Sequence, residues 1–511
     1  MAILRLHGHG APDHLDPACS HHIPTRQLLR LYTRQLFTYQ PDMNLRNWQA
    51  IAPVPDLATA IPSIYNAGLG ASGRSYVVHL RPGVRWDTTP PRPLTAHDVV
   101  RGLKRLAGPT VRNPALPFFT STIRGMAEYH REFAAAAPDG TAEQLARFQN
   151  THEIAGVFAL DDESLVIELL RPTLDIVDIL ALPCASPAPA EYDAFVPDSP
   201  EFREHIRSLG PYRPVPGSIA QFEPNPVWDP ASDPVRQRRL SAIRVIPSTG
   251  DTAAAAVRSG AADLTWNVPV TAAATAVDLG SALDPCLLFN MRRDDVDLAV
   301  RRAVAGAIDR ETLAGPGKRA AYSIIPPGND GHQETGPAVP AGSAAGTRLR
   351  MLHAPTDAMV ANAVAADLAK VGITVTALAL EQAELRATLA DPAAEWDMTL
   401  VSWSPDWFHN NARVFLQRMF QSDAPGNYGG YSSPEVDALI DEALAELQPL
   451  RAVTAWQRVE NRVLADVAVV PLLFNEPSVP ALRGDRVRDA RPMPAIGFGY
   501  DLATLELATP T

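Results

Sequence analysis

Asp406 is the residue whose setting most invites chemistry. It follows Pro405 in the run Val401-Ser-Trp-Ser-Pro-Asp-Trp-Phe408, so a carboxylate stands among Trp403, Trp407 and Phe408. A negative charge framed by aromatic faces suits a cation or an ammonium group, which the carboxylate and the ring faces attract together. That chemistry is binding, with no bond made or broken. A second reading stands beside it, in which a loop-end aspartate caps nearby backbone N–H groups. His21 and His22 are adjacent imidazoles and raise the question of a transition metal. His7 and His9, however, are followed by glycines, no carboxylate or thiol stands close to them, and His14 and His409 add no ligand spacing. No metal site is expected. Arg34 would give a ligand carboxylate or phosphate a bidentate partner if it faced a cleft, and would carry no specificity if it faced solvent.

The chain carries no catalytic signature. Gly315-Pro-Gly-Lys318 lacks both the upstream glycine and the hydroxyl residue of a phosphate loop, and His152-Glu153 is followed by Ile-Ala-Gly rather than by a second histidine at the right spacing. No nucleophile elbow of the G-x-S-x-G kind occurs. Asp161-Asp162 and Asp294-Asp295 stand in polar, turn-like runs where carboxylates are ordinarily solvated. No catalytic residue and no cofactor is expected.

The elements that would position Asp406 are legible on both sides of it. Val401 to Ser404 alternate apolar and polar residues as a strand end does, and Pro405 stops a ladder because it has no N–H to donate. Beyond the loop, Ser433 is a good N-cap, Pro434 suits the first helical position, and Val436, Leu439, Ile440, Ala443 and Leu447 make one apolar stripe. Elsewhere strand and helix patterns alternate, which predicts an α/β architecture. Leu349 to Leu352 predicts a strand, Ala358 to Lys370 a helix, Gly372 its C-terminal cap and Ile373 to Leu380 the next strand. Val296, Val300, Ala303, Val304, Ala307 and Ile308 predict a second amphipathic helix, and Thr95 with Asp98 a capping box for a third.

A chain of 511 residues with 46% hydrophobic and 20% charged residues has the usage of a large globular protein, and its length exceeds what one core organises. Its net charge of −12, with no basic run interleaved with aromatics, excludes nucleic acid as an expected partner. The 48 prolines, together with the Pro/Gly/Ala-rich stretch Pro326 to Gly346, predict long rigid surface loops. Three cysteines, Cys19, Cys184 and Cys286, allow at most one intrachain disulfide and read more simply as three small buried thiols.

The order of motifs resembles family 5 of the bacterial extracellular solute-binding proteins, the peptide-binding proteins of ABC importers. His14-Leu-Asp-Pro17 is similar to the family's opening Leu-Asp-Pro. Ser75 to Asp87 and Leu94 to Val100 resemble its strand, turn and helix. Gly210-Pro-Tyr-Arg213, Ser259 to Leu264, Val300-Arg-Arg-Ala303 and Ile308-Asp-Arg310 follow in the expected sequence. Trp403 and Asp406 match a Trp-x-x-Asp whose carboxylate, in the family, holds the N-terminal ammonium of a peptide. Arg34-Gln35 departs from it, since many members carry Glu-Gly at that place.

The resemblance implies a bilobed periplasmic-binding-protein (Venus-flytrap) fold of the α/β class with an extra domain inserted in the N-terminal lobe. Lobe I would comprise residues 1–45, 179–270 and 475–511, the inserted subdomain residues 46–178, and lobe II residues 271–474. It implies a substrate site made of His21, His22 and Ile23 from lobe I and Trp403, Ser404, Asp406 and Trp407 from lobe II. The partners it implies are a peptide or small-molecule ligand and an ABC transporter permease, with the chain itself a monomer outside the cytoplasm. Met1 to Leu6 leads directly into an apparent strand without basic region, apolar core or cleavage site. Either a signal, and with it a lipid anchor, has been lost, or the chain is an intracellular relative. The second case defines the alternative: an enzyme or carrier on the same fold, with His21, His22 and Asp406 as acid/base groups.

Overall fold

Strand β1 (Ile3–Gly8) buries Leu4 and Leu6 completely and lies inside a five-stranded sheet. The computed structural model describes residues 3–8, 12, 14–20, 22–42, 51–266, 282–315, 317–338, 342–409, 411–475, 480–493, 495 and 499–508. The chain divides into two units, residues 1–275 with 478–511, and residues 276–477.

In the first unit, helix α1 (Ile23–Leu29) carries proline in its first turn, where the missing N–H costs nothing. Strands β2 (Ser75–His79), β3 (Val157–Ala159) and β4 (Ser164–Glu168) form a three-stranded antiparallel sheet with β4 in the middle. Helix α2 (Ala96–Leu106) opens on the expected Thr95/Asp98 capping box. Strands β5 (Tyr212–Pro214), β6 (Gln221–Pro224), β7 (Ala242–Pro247) and β8 (Leu264–Trp266) complete the larger sheet, in the order β8-β1-β7-β6-β5. β1 runs parallel to both β7 and β8.

Arg34 takes neither of the orientations weighed above. Its side chain is fully buried, where Nη2 stands 2.7 Å from Asp56 and Nε 3.7 Å from Asp233. Arg236, equally buried, reaches the same two carboxylates at 2.8 and 3.5 Å. Burial alone would push Asp233 up, but Arg236 and Arg34 hold it well below the usual carboxylate range. A buried guanidinium needs such partners, and here Arg34 serves the interior of the unit.

In the second unit, strands β9 (Ala282–Phe289), β10 (Lys318–Ala320), β11 (Arg348–His353), β12 (Thr374–Ala379), β13 (Met398–Trp403), β14 (Val469–Pro471) and β15 (Leu473–Asn475) make one seven-stranded sheet. Its main path is β10-β15-β9-β13-β11-β12, with β14 also paired to β9. Helix α3 (Leu298–Ala307) starts after an Asp297 cap, so Val296 is buried just ahead of it. Helix α4 (Ala358–Lys370) joins the parallel pair β11 and β12, and Gly372 takes the left-handed φ of +80° that ends the helix. Helices α5 (Ala412–Phe420), α6 (Pro434–Ala445) and α7 (Pro449–Ala465) follow. Ser433 caps α6 as expected, accepting from Val436 N, but the predicted stripe runs one turn too far. Leu447 lies outside the helix and is 43% exposed, because the helix ends at Ala445 and the chain is already extended at the Glu446 C-cap. Cys19, Cys184 and Cys286 are buried and form no disulfide with one another.

Candidate functional site

β13 is an interior strand of its sheet, antiparallel to β9 and parallel to β11, which fixes where its last residue points. Pairing with β9 runs to Trp403, opposite Leu283, across a bulge between Leu283 and Cys286. The ladder with β11 stops at Thr399, so the outer part of β13 is paired on one side only among the described residues. Pro405 then ends the strand, as the sequence suggests.

Asp406, Trp407 and Phe408 turn inward rather than out, with exposures of 3%, 0% and 2%. The Trp403 indole N–H donates to the Val414 carbonyl at 3.2 Å, tying the strand end to α5. From α5 comes the group that sequence reasoning missed: Arg418 donates from Nη1 to Asp406 Oδ2, and its Cζ lies 4.7 Å from the centre of the Trp403 ring. The carboxylate in the aromatic frame thus holds a cation, a guanidinium of the chain itself. Residue 426 must be small beside it, since a Cβ on Gly426 would stand 2.7 Å from the Arg418 carbonyl oxygen and 3.3 Å from the Trp403 ring. Two arginines, Arg413 and Arg418, among Val414, Phe415, Leu416, Met419 and Phe420 were the available signal, because a cation on a largely buried helix requires a partner.

The loop is braced from behind. Asn411 donates from Nδ2 to the Trp407 carbonyl at 3.0 Å and to Asn329 Oδ1 at 2.6 Å, and its Oδ1 accepts from Asp330 N at 3.1 Å. The loop carrying Asn329 is fixed in turn by Glu460 of α7. That fully buried carboxylate accepts from Ile324 N at 2.5 Å, Ile325 N and Ser323 Oγ at 3.0 Å, and Gln333 Nε2 at 2.7 Å. The stretch predicted as surface loops is therefore entered through a buried, anchored turn.

A second polar group lies at the same strand end. Ser402 Oγ donates to Asp284 Oδ1, and Lys318 Nζ donates to the Asp284 carbonyl at 3.0 Å. Asp357, just before α4, is raised to about 6 by burial and by the Asp284 charge, against the opposing pull of Lys318 and His353.

The structure brings Trp403, Ser404, Asp406 and Trp407 together, with Ser404 half-buried between strand and loop. His22 and Ile23 belong to the first unit: His22 is the half-buried N-cap of α1 and Ile23 its first residue, while His21 lies outside the described residues. The Leu15-Asp16-Pro17 motif that precedes them is structural. Asp16 is buried, accepts from Ala18 N at 3.0 Å and Asp198 N at 3.1 Å, and pairs with Arg105. Among the described residues no group of three His, Cys, Asp or Glu side chains converges as a metal site would require. No described helix is long and apolar enough to cross a membrane.

This architecture is that of the periplasmic binding proteins. The solved structure of clavulanic acid biosynthesis oligopeptide binding protein 2 superposes with a TM-score of 0.77 at 23% identity, covering 99% of this chain and 96% of that one. The bilobed α/β fold implied by the resemblance is the fold of this chain. Residues 52–426 match the bacterial extracellular solute-binding proteins, family 5 (middle), and the chain belongs to that family. It is a solute-binding family, not an enzyme family. The periplasmic oligopeptide-binding protein OppA of Salmonella typhimurium is 26% identical over 442 residues, 78% of this chain and 76% of that protein. The probable deoxycholate-binding periplasmic protein YgiS of Escherichia coli is 25% identical over 446 residues, 79% of this chain and 77% of that one.

Proposed function

We propose that the chain captures a peptide or related amine-bearing solute and delivers it to an ABC importer, with Asp406 as the anchor for the ligand's ammonium group. The observation that carries this reading is the occupied anchor: an Asp406 carboxylate 3% exposed and set beside Trp403 already holds a cationic nitrogen, that of Arg418. Relatives of nearly equal similarity are named for oligopeptide and for deoxycholate, so the site has to decide the ligand. The one-sided outer part of β13 supports an extended peptide, whose main chain could add to that strand with little demand on sequence. Trp403, Ser404 and Trp407 are taken as further contacts, and His21, His22 and Ile23 as contacts contributed by lobe I. The same reading takes residues 46–178 as a subdomain inserted in lobe I, and has the protein work outside the cytoplasm, as a monomer.

Calorimetric titration with Ala-Ala-Ala and with its N-acetylated form tests the anchor. Asp406→Asn should weaken the free-amine peptide by roughly 2 kcal/mol, about 25-fold, because a desolvated ammonium loses its charged partner. Undiminished affinity in that variant would remove Asp406 from the binding site.

A further inference from the structure

Two arginine–aspartate pairs in this chain differ in how firmly they are made. Arg34 grips Asp56 through both Nε, at 2.8 Å, and Nη2, at 2.7 Å, and both side chains are wholly buried. Arg418 touches Asp406 through Nη1 alone and keeps 13% of its side chain exposed, while Asp406 beneath it keeps 3%. Its buried Nε meets no hydrogen-bond acceptor among the described residues. The guanidinium is held otherwise by the Trp403 face, a contact that any cation of suitable size can make. Of the side chains framing Asp406, Arg418 is also more exposed than Trp403, Trp407 and Phe408, at 7%, 0% and 2%. A solvent-borne cation therefore meets Arg418 before it meets the carboxylate.

We propose that Arg418 is a displaceable internal occupant of the Asp406 anchor, so that a ligand's ammonium binds only by exchanging with the guanidinium. The proposal rests on the reading of Asp406 as an ammonium anchor and adds to it the residue that sets the threshold for binding. Exchange replaces one charge-assisted contact with another, so a bare amine gains less on the native chain than an unoccupied Asp406 would offer it. Selectivity then falls to what the rest of the ligand contributes, and lone cations such as methylammonium are rejected. The long arginine stem lets the head swing clear without backbone movement.

The test separates this inference from the reading beneath it. Arg418→Met keeps most of the stem and removes the charge. Methylguanidinium and methylammonium should raise the melting temperature of R418M at millimolar concentration, while leaving the native chain and an R418M/D406N variant unchanged. Failure of both cations on R418M overturns exchange, whatever peptides do. In the second arm, Ala-Ala-Ala should bind R418M at least tenfold tighter than the native chain, with no such gain for N-acetyl-Ala-Ala-Ala. Equal affinity of the free-amine peptide for both proteins, or an equal gain for the acetylated form, also overturns it. Small cations binding R418M while no peptide binds either protein would retain the exchange site and refute the peptide ligand. Should R418M fail to fold, Arg418→Gln, which keeps a neutral donor toward Asp406, is read in the same way.

Discussion

Replacing Asp56 by asparagine decides whether Arg34 serves the fold or a ligand. Asp56 Oδ1 takes Nε and Nη2 of Arg34 at 2.8 and 2.7 Å, and Oδ2 takes Nη1 of Arg236 at 2.8 Å, with all three side chains fully buried. Asparagine preserves the shape but removes the charge and turns one acceptor into a donor facing a guanidinium. Breaking a buried ion pair in this way costs about 3–5 kcal/mol. Asp233 remains, 3.7 Å from Arg34 and 3.5 Å from Arg236, and its residual attraction puts the expected loss at the lower end, about 3 kcal/mol. A unit of about 310 residues unfolds with an entropy near 0.65 kcal/mol per kelvin, so its melting temperature should fall by about 5 °C. Arg34→Met should cost less, since Asp56 keeps Arg236, and a double-mutant cycle between the two should show strong coupling. The assay is calorimetric melting of the intact chain, paired with ligand titration of the same samples. A melting shift under 1 °C for D56N refutes the buried-network argument. So does an Arg34→Met variant that melts normally and loses its ligand.

Glu460→Gln should cost about 2–3 kcal/mol and speed proteolysis within residues 321–338, because an amide offers Gln333 a second donor where the carboxylate offered an acceptor. Unchanged melting and cleavage would show that the turn at Ile324 holds without it. For Asp357, the folded state raises the group from 3.8 to about 6, so it keeps a proton that the unfolded chain has lost in that window. The stabilisation is present below pH 4 and is lost as pH rises toward 6, and Asp357→Asn should flatten that part of the melting-temperature profile. Parallel profiles for the two proteins between pH 4 and 7 would refute the assignment.

What the sequence made legible is what neighbouring residues determine. The bounds of α4 follow from an Ala-rich periodic run with glycine beyond it, and Ser433 and Thr95 announce their helices because the two partners of a cap lie three residues apart, as when Val436 N–H donates to Ser433. The tail of α6 failed because the chain leaves the helix at the Glu446 C-cap, two residues before the Gln448 that caps α7, which apolar spacing through Leu447 does not reveal. Strand centrality was beyond reach. Val401 pairs with Cys286 and Met398 with Met351, and nothing in a short run of alternating residues says which distant strands will flank it.

Charges at the site follow a related rule with a sharper consequence. A cation on a helix as buried as α5 has to find a polar partner, so Arg413 and Arg418 both declared that need in the sequence, though not what would meet it; Arg413 donates to Gln417 and Arg418 to a carboxylate. Asp406, twelve residues earlier across a loop, made the matching declaration and was read as awaiting a ligand. Arg34 and Asp56 present the same pair of declarations, 22 residues apart, so charge type and sequence separation cannot distinguish the two cases. Geometry distinguishes them: Arg34 makes a two-point contact with no exposure, whereas Arg418 makes a one-point contact, is partly exposed and lies on an aromatic face, which is what the proposed exchange requires. The anchor and its internal occupant are therefore two readings of one pair, and under the proposed function a ligand's ammonium would have to compete for it.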